Sequence, residues 1–307
     1  MDATTTQLAD RLLASYAAVG GINHVDGRHL PSKSAIAGIA GDLLRLLFPG
    51  FFDDKPLVSS ELKIETTLLL ASVRERLEDE VFKSLEYAPP EKLSKTQVAC
   101  AARDLTLDFL GKLPAIRDLL QTDADAAYRG DPAALSTEEI IVAYPFMEAI
   151  AVHRLAHELY LAKVPLIPRI LAEWAHGRSG MDLHPGARIG SHFFVDHCTG
   201  TVVGETAVIG EHVKMYQGVG LVARSLSGGQ TLRGQKRHPT LEDRVTIYAG
   251  ATIVGGETVI GEGSTIGGNV FLMHSVPPNS VVIYDDGRMI VRPKRERGAD
   301  HSLDFQI

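Results

Sequence analysis

Over residues 1 to about 178, apolar positions recur at helical spacing between breaks of Gly, Pro, Ser and Asp. The pattern predicts helices over 6–19, 34–47, 60–87, 94–110 and 115–128, then a long pair over 136–176. Ser136-Thr-Glu-Glu139 is a capping-box sequence, which would satisfy the first free N–H groups of one of these helices. Pro165 and Pro168 divide the last stretch, because proline cannot donate within a helix. Gly177 to Gly180 reads as a helix stop and a domain boundary. From Met181 to about Ser275 the period changes to six. Val203-Gly204, Ile209-Gly210, Met215 and Leu221 form one lane, and Val254-Gly255, Ile260-Gly261, Ile266-Gly267 and Leu272 another. Ala207, Val213 and Val219 run beside the first at the same step. Six fits neither a helix at 3.6 nor a strand alternating at 2. It fits a short strand plus a corner, three of which close an 18-residue triangular coil with the aliphatic residue inside. A Gly-rich β-sandwich is the alternative. The expected fold is an N-terminal all-helical domain (1–178), a parallel β-helix (179–280) and a C-terminal tail (281–307).

Two features break the hexad rhythm. Residues 223–240, rich in Gly, Arg and Lys, must loop out of the coil and end in Arg237-His238-Pro239, side chains suited to gripping a carboxylate. Asp196-His197-Cys198-Thr199-Gly200 interrupts the first turn, while Asp182-Leu-His184-Pro185 opens the prism. Asp182 and His197 stand 15 residues apart, close to one coil, so the spacing predicts that they meet across adjacent rungs. Past Pro277-Pro278 the hexads cease, and a tail with Arg292, Lys294, Arg295 and Arg297 follows.

Composition narrows the function. At 307 residues and 45% hydrophobic, the chain has material for two cores. A net charge of −7 argues against nucleic acid or an anionic membrane as the main partner. Two distant cysteines, Cys100 and Cys198, make neither a disulfide frame nor a metal site. The polar N-terminus lacks the basic start and apolar run of a signal peptide, and no apolar run is long enough to span a bilayer. The expectation is a soluble, cytoplasmic protein with no metal and no tightly bound cofactor.

The strings GDPAA (130–134), HRLAHELY (153–160), DLHPGARIG (182–190), VDHCTGTVVGETAVIG (195–210), YQGV (216–219) and KRHP (236–239) together resemble the serine O-acetyltransferases. That family makes O-acetylserine from L-serine and acetyl-CoA, for cysteine biosynthesis. The resemblance implies a left-handed coil and a homo-oligomer: a trimer at least, with active sites at subunit clefts, or a hexamer joined through the helical half. It implies His197 as general base, the role histidine fills near pH 7, and Asp182 as the carboxylate that orients it. Asp131 and Asp196 match positions holding the substrate ammonium, and Arg237 and His238 those holding its carboxylate. Ala249 and Gly268 match small residues along which the pantetheine arm of acetyl-CoA lies. Ala223 falls in Gly220–Arg224, which departs from the family's usual Thr-Leu-Gly-Gly-Thr donor segment; the following loop is also longer, and the tail differs. The family commonly ends in isoleucine, which inserts into O-acetylserine sulfhydrylase, so Ile307 is expected to bind that partner.

The remaining residues read less sharply. Cys198 beside His197 invites a nucleophile, but it is expected to be structural. His184 stands open between site and cap, while His153, Arg154 and His157 read as packing or interface residues, and Gly228-Gly229 as a flexible loop rather than a phosphate cradle. Rival functions are acyl transfer to a sugar or an amino-dicarboxylate, a zinc-dependent carbonic anhydrase on the same prism, and a non-catalytic scaffold.

Overall fold

The structure, a computed structural model, describes residues 2–88, 93–225, 227–285 and 288–293. Its helices are α1 (Ala3–Ala18), α2 (Lys33–Leu47), α3 (Leu62–Tyr87), α4 (Lys95–Gly111), α5 (Leu113–Gly130), α6 (Thr137–Ala143), α7 (Pro145–Leu161) and α8 (Ile167–Ser179). Local chemistry explains the starts. Ser32, Ser94 and Ser136 each accept a backbone N–H of the first turn, and Ser94 with Gln97 completes a reciprocal capping box. At Ser136 the second half of the box shifts by one residue, because Glu139 accepts the N–H of Leu135 at 2.6 Å. The stretch 136–176 is three helices rather than two. Pro145 stands in the first turn of α7, so Tyr144 before it is held extended and α6 ends there. α8 runs to Ser179 and closes on Gly180 in the left-handed region, φ 72°.

The chain then winds through β1 (Asp182–Leu183), β2 (Arg188–Ile189), β3 (Phe194–Val195), β4 (Val202–Val203), β5 (Val208–Ile209), β6 (Lys214–Met215), β7 (Gly220–Val222), β8 (Thr240–Leu241), β9 (Thr246–Ile247), β10 (Thr252–Val254), β11 (Val259–Ile260), β12 (Thr265–Ile266), β13 (Phe271–Leu272), β14 (Ser280–Asp285) and β15 (Arg288–Pro293). Every third strand pairs in parallel up to β13, and β14 adds to β12, giving three sheets: β1-β4-β7-β10-β13, β2-β5-β8-β11 and β3-β6-β9-β12-β14. This is a left-handed parallel β-helix. Val195, Met215, Ile247, Ile266 and Val282 stack inside it as one buried column. Each such side chain contributes about 1.5–3 kcal/mol by leaving water.

Register shows where the coil departs from its period. Val202 lies beside Gly220, a full 18-residue coil, but Asp182 lies beside Val202, so the first coil holds two residues more. The surplus sits at the corner of Asp196–Gly200. A second departure comes after β10. Ile253, not Val254, stacks between Leu221 and Leu272, so the expected lane is one residue out at its start. A one-residue bulge around Gly255, φ 100°, restores the step. The pairing also continues beyond residue 280, into the first part of the C-terminal segment. β14 adds to β12 in parallel and turns back as an antiparallel hairpin with β15. The hairpin carries β-branched residues without the hexad glycines, which is why the period did not mark it.

A buried ion pair joins the helices to the prism. The Arg154 guanidinium donates to Asp123 at 2.7 and 2.9 Å and to the carbonyl of Gly190 at 2.9 Å, and Asp123 also accepts the N–H of Phe193. His157 Nδ1 donates to the carbonyl of Pro185 at 2.7 Å. Arg154 and His157 therefore dock α7 on the first coil, and His153 is buried beside them. Among the described residues, no helix is long and apolar enough to cross a membrane.

Candidate active site

Two clusters of polar side chains stand on two different corners of the prism. The first lies where β3 turns towards β4. The surplus residues put His197 and Cys198 both in the left-handed region, φ 61° and 57°, with the first side chain exposed and the second buried. His197 is 59% exposed at its side chain, free to meet a ligand. Cys198 is buried, its Sγ 3.6 Å from the carbonyl of Val195, and burial pushes its thiol up to about 12. A thiol held protonated inside the coil is no nucleophile.

Carboxylates surround His197. Asp196 Oδ1 is 3.4 Å from its Nδ1. Asp131, the residue after α5, comes to the same place, for its carboxyl feels the charges of both His197 and Lys214. The hydroxyl of Tyr144 donates to Asp131 Oδ2 at 2.5 Å, which holds that carboxyl below its ordinary value, and the N–H of Ala133 adds a second bond at 2.9 Å. Lys214 donates to the carbonyl of Gly130 at 2.6 Å and lies over the ring of Tyr216. Asp182 is not in ion-pair contact with His197. The neighbour of Asp182 on the next coil is Val202, and the carboxylate paired with the Nδ1 of His197 is that of Asp196.

The second cluster lies where β4 turns towards β5, with β4 separating it from the first. Arg237 pairs with Glu205, whose other oxygen accepts from the hydroxyl of Tyr160 on α7 at 2.7 Å. Burial alone would raise the carboxyl of Glu205, yet these two partners hold it below its ordinary value. His238 is buried beside them and pushed down to about 4, by burial first and by Arg237 second. Neither ring of the His184–His238 pair is charged at neutral pH, since burial also brings His184 to about 4. His184 Nδ1 accepts the N–H of Gly186 at 3.0 Å, a capping role. Tyr144, Lys214, Tyr160, Glu205 and Thr206 were not singled out from sequence. Glu205 and Thr206 stood within the quoted VDHCTGTVVGETAVIG string and Tyr160 ended HRLAHELY, the available signals.

The residues matched to the acyl donor are only partly brought together. Along the corner above His197, Gly250 N–H bonds to Gln217 and Asn269 N–H to Ala249. Gly268 comes next on that column, and a Cβ there would stand 3.2 Å from the carbonyl of Ala249. Ala249 and Gly268 thus stand side by side on the corner that carries His197. Ala223 does not join them. It follows β7 at the start of the long loop, on the side of the second cluster.

No protein-family model matches the chain. It is 46% identical over 270 residues to the plasmid serine acetyltransferase of Synechococcus elongatus, covering 82% of this chain and 81% of that one. Serine acetyltransferase 1 of Entamoeba histolytica in complex with L-cysteine superposes with a TM-score of 0.70 at 32% identity, over 82% of this chain and 99% of that one. Serine acetyltransferase of Brucella abortus in complex with coenzyme A gives a TM-score of 0.54 at 28% identity, over 89% and 98%. With the coil, its two polar corners and a relative this similar over most of its length, the chain belongs to the serine acetyltransferase family, a class of acyltransferases.

Proposed function

We propose that the chain transfers the acetyl group of acetyl-CoA to the hydroxyl of L-serine, giving O-acetylserine for cysteine biosynthesis. One observation carries the reading: an exposed histidine among carboxylates on one corner, and a cationic grip on the next corner. Asp131 and Asp196 suit the ammonium of an amino acid, while Arg237 and the Nε2 of His238 suit its carboxylate. Within one chain the corners are separated by β4, so a second copy setting its Arg237 corner against this His197 corner would complete the site. That makes a homotrimer the smallest working assembly, and a solution mass for a stable monomer would refute it.

In the mechanism, His197 removes the proton from the serine hydroxyl as its oxygen attacks the thioester carbonyl. The tetrahedral adduct then expels the CoA thiolate, which takes the proton back from the imidazolium. No acyl-enzyme forms. Asp182, at the start of the same coil, serves as the carboxylate that orients the exposed ring. The acetyl-CoA arm occupies the lane of Ala249 and Gly268, with Ala223 contributing from the neighbouring corner. The helical region (1–178), the coil (179–280) and the tail (281–307) are proposed as the domains of the chain. Ile307 lies outside the described residues; its docking in an O-acetylserine sulfhydrylase is proposed for test with a peptide of the last ten residues. The deciding assay is thiol release from acetyl-CoA with L-serine, compared with a sugar or an amino-dicarboxylate as acceptor. Release with one of those, and none with serine, would overturn the reading.

A further inference from the structure

The basic segment 236–238 ends a long surface loop, yet its two functional side chains must point in fixed directions. The turn Gly204-Glu205-Thr206, on the coil beneath, is built around that segment. Thr206 Oγ1 accepts the backbone N–H of Arg237 at 2.9 Å and that of His238 at 3.0 Å. It lies 2.9 Å from His238 Nδ1, which also accepts the backbone N–H of Thr206 at 3.1 Å. A backbone N–H can only donate, so Nδ1 is the acceptor and the ring proton sits on Nε2. The carbonyl of Thr206 accepts Lys236 Nζ at 2.7 Å. Gly204 leaves the space this needs, for a Cβ there would stand 2.0 Å from the His238 ring. Glu205 meanwhile holds the Arg237 guanidinium and is itself held by Tyr160.

We propose that Thr206 is the positioning residue of the carboxylate grip: one hydroxyl pins two successive backbone groups of the loop and keeps His238 presenting Nε2–H, while Tyr160 and Glu205 aim Arg237. Thr206 touches no substrate, so it acts through Arg237 and His238, and the inference rests on their carboxylate-binding role. It also links α7 to the grip through a single phenol hydroxyl.

The test is Thr206→Val, which keeps the shape and removes the hydroxyl, with Thr206→Ser as the conservative control. Losing the acceptor of two backbone bonds should raise the KM for L-serine by about tenfold or more. The kcat and the KM for acetyl-CoA should stay within about twofold, since neither depends on these bonds. Trypsin should cut faster at Arg233 and Lys236 in the Val protein, and the Ser protein should behave as wild type. Tyr160→Phe, which keeps the packing, should raise the serine KM by about three- to fivefold through Glu205, and it serves if the Val protein does not fold. Arg237→Ala calibrates the reading beneath. If it raises the serine KM while Thr206→Val changes neither KM nor cleavage, the role of Thr206 is overturned. If Arg237→Ala leaves the serine KM unchanged, the carboxylate assignment falls, and the cleavage rate alone decides whether Thr206 orders the loop.

Discussion

Replacing Arg154 with Met should destabilise the chain in a way that depends on pH. The substitution keeps an unbranched apolar stem of similar reach but leaves Asp123 fully buried and without its cation. An unpaired carboxylate in such a place is strongly disfavoured, and burial already pushes this carboxyl upward. The variant can escape by binding a proton, which caps the penalty. Holding a proton at pH 7 on a group with a reference pKa near 3.9 costs about 4 kcal/mol, and at pH 5 about 1.5 kcal/mol. The carbonyl of Gly190 also loses its donor, adding about 1 kcal/mol at either pH. The total at pH 7 is close to the roughly 3–5 kcal/mol seen when one partner of a buried pair is removed. Urea unfolding of both proteins at pH 7 and pH 5, at equal protein concentration, measures it. A deficit below about 1 kcal/mol at pH 7, or one equal at the two pH values, would refute the argument.

Other consequences are open to direct measurement. His197→Ala should lower kcat by about 10²–10⁴-fold, whereas Cys198→Ala should keep most activity; a dead Cys198→Ala enzyme that still folds, or acetyl label on that sulfur, would overturn direct attack. Tyr144→Phe should return the Asp131 carboxyl towards its ordinary value, so the serine KM should climb at a higher pH than in wild type as the medium is acidified. His184 and His238 are held at about 4 against about 6.5 when unfolded, so the unfolded chain binds more protons between those values. Stability should therefore fall as pH drops from about 6.5 to about 4, by at most about 1.4 kcal/mol per unit per ring, and a flat profile in thermal unfolding would contradict it. Gly268→Val should raise the KM for acetyl-CoA and spare that for serine, because the added side chain enters the lane beside Ala249.

The sequence alone determined what depends on neighbours a few residues away. The hexad lanes marked which side chains face inward, because inward and outward positions alternate locally whatever the coil number. Serine caps and prolines marked most helix limits for the same reason, although the proline at 145 was read through and cost one helix boundary. Tertiary structure decided whatever has to be counted through an insertion. The 15-residue spacing of Asp182 and His197 could not show the two surplus residues at the corner, which stretch the first coil to 20 residues and leave the Nδ1 of His197 beside Asp196. One extra residue after β10 moved the inward position from Val254 to Ile253. The residues expected around one substrate appear as two half-sites on separate corners, since the order of residues in a list says nothing of which face of a prism carries them. The positioning role of Tyr144, Tyr160, Glu205 and Thr206 was also not legible, although the last three stand within the quoted strings. Each acts on a residue 13 to 45 positions away in the chain, through a hydrogen bond that only the folded coil brings within reach.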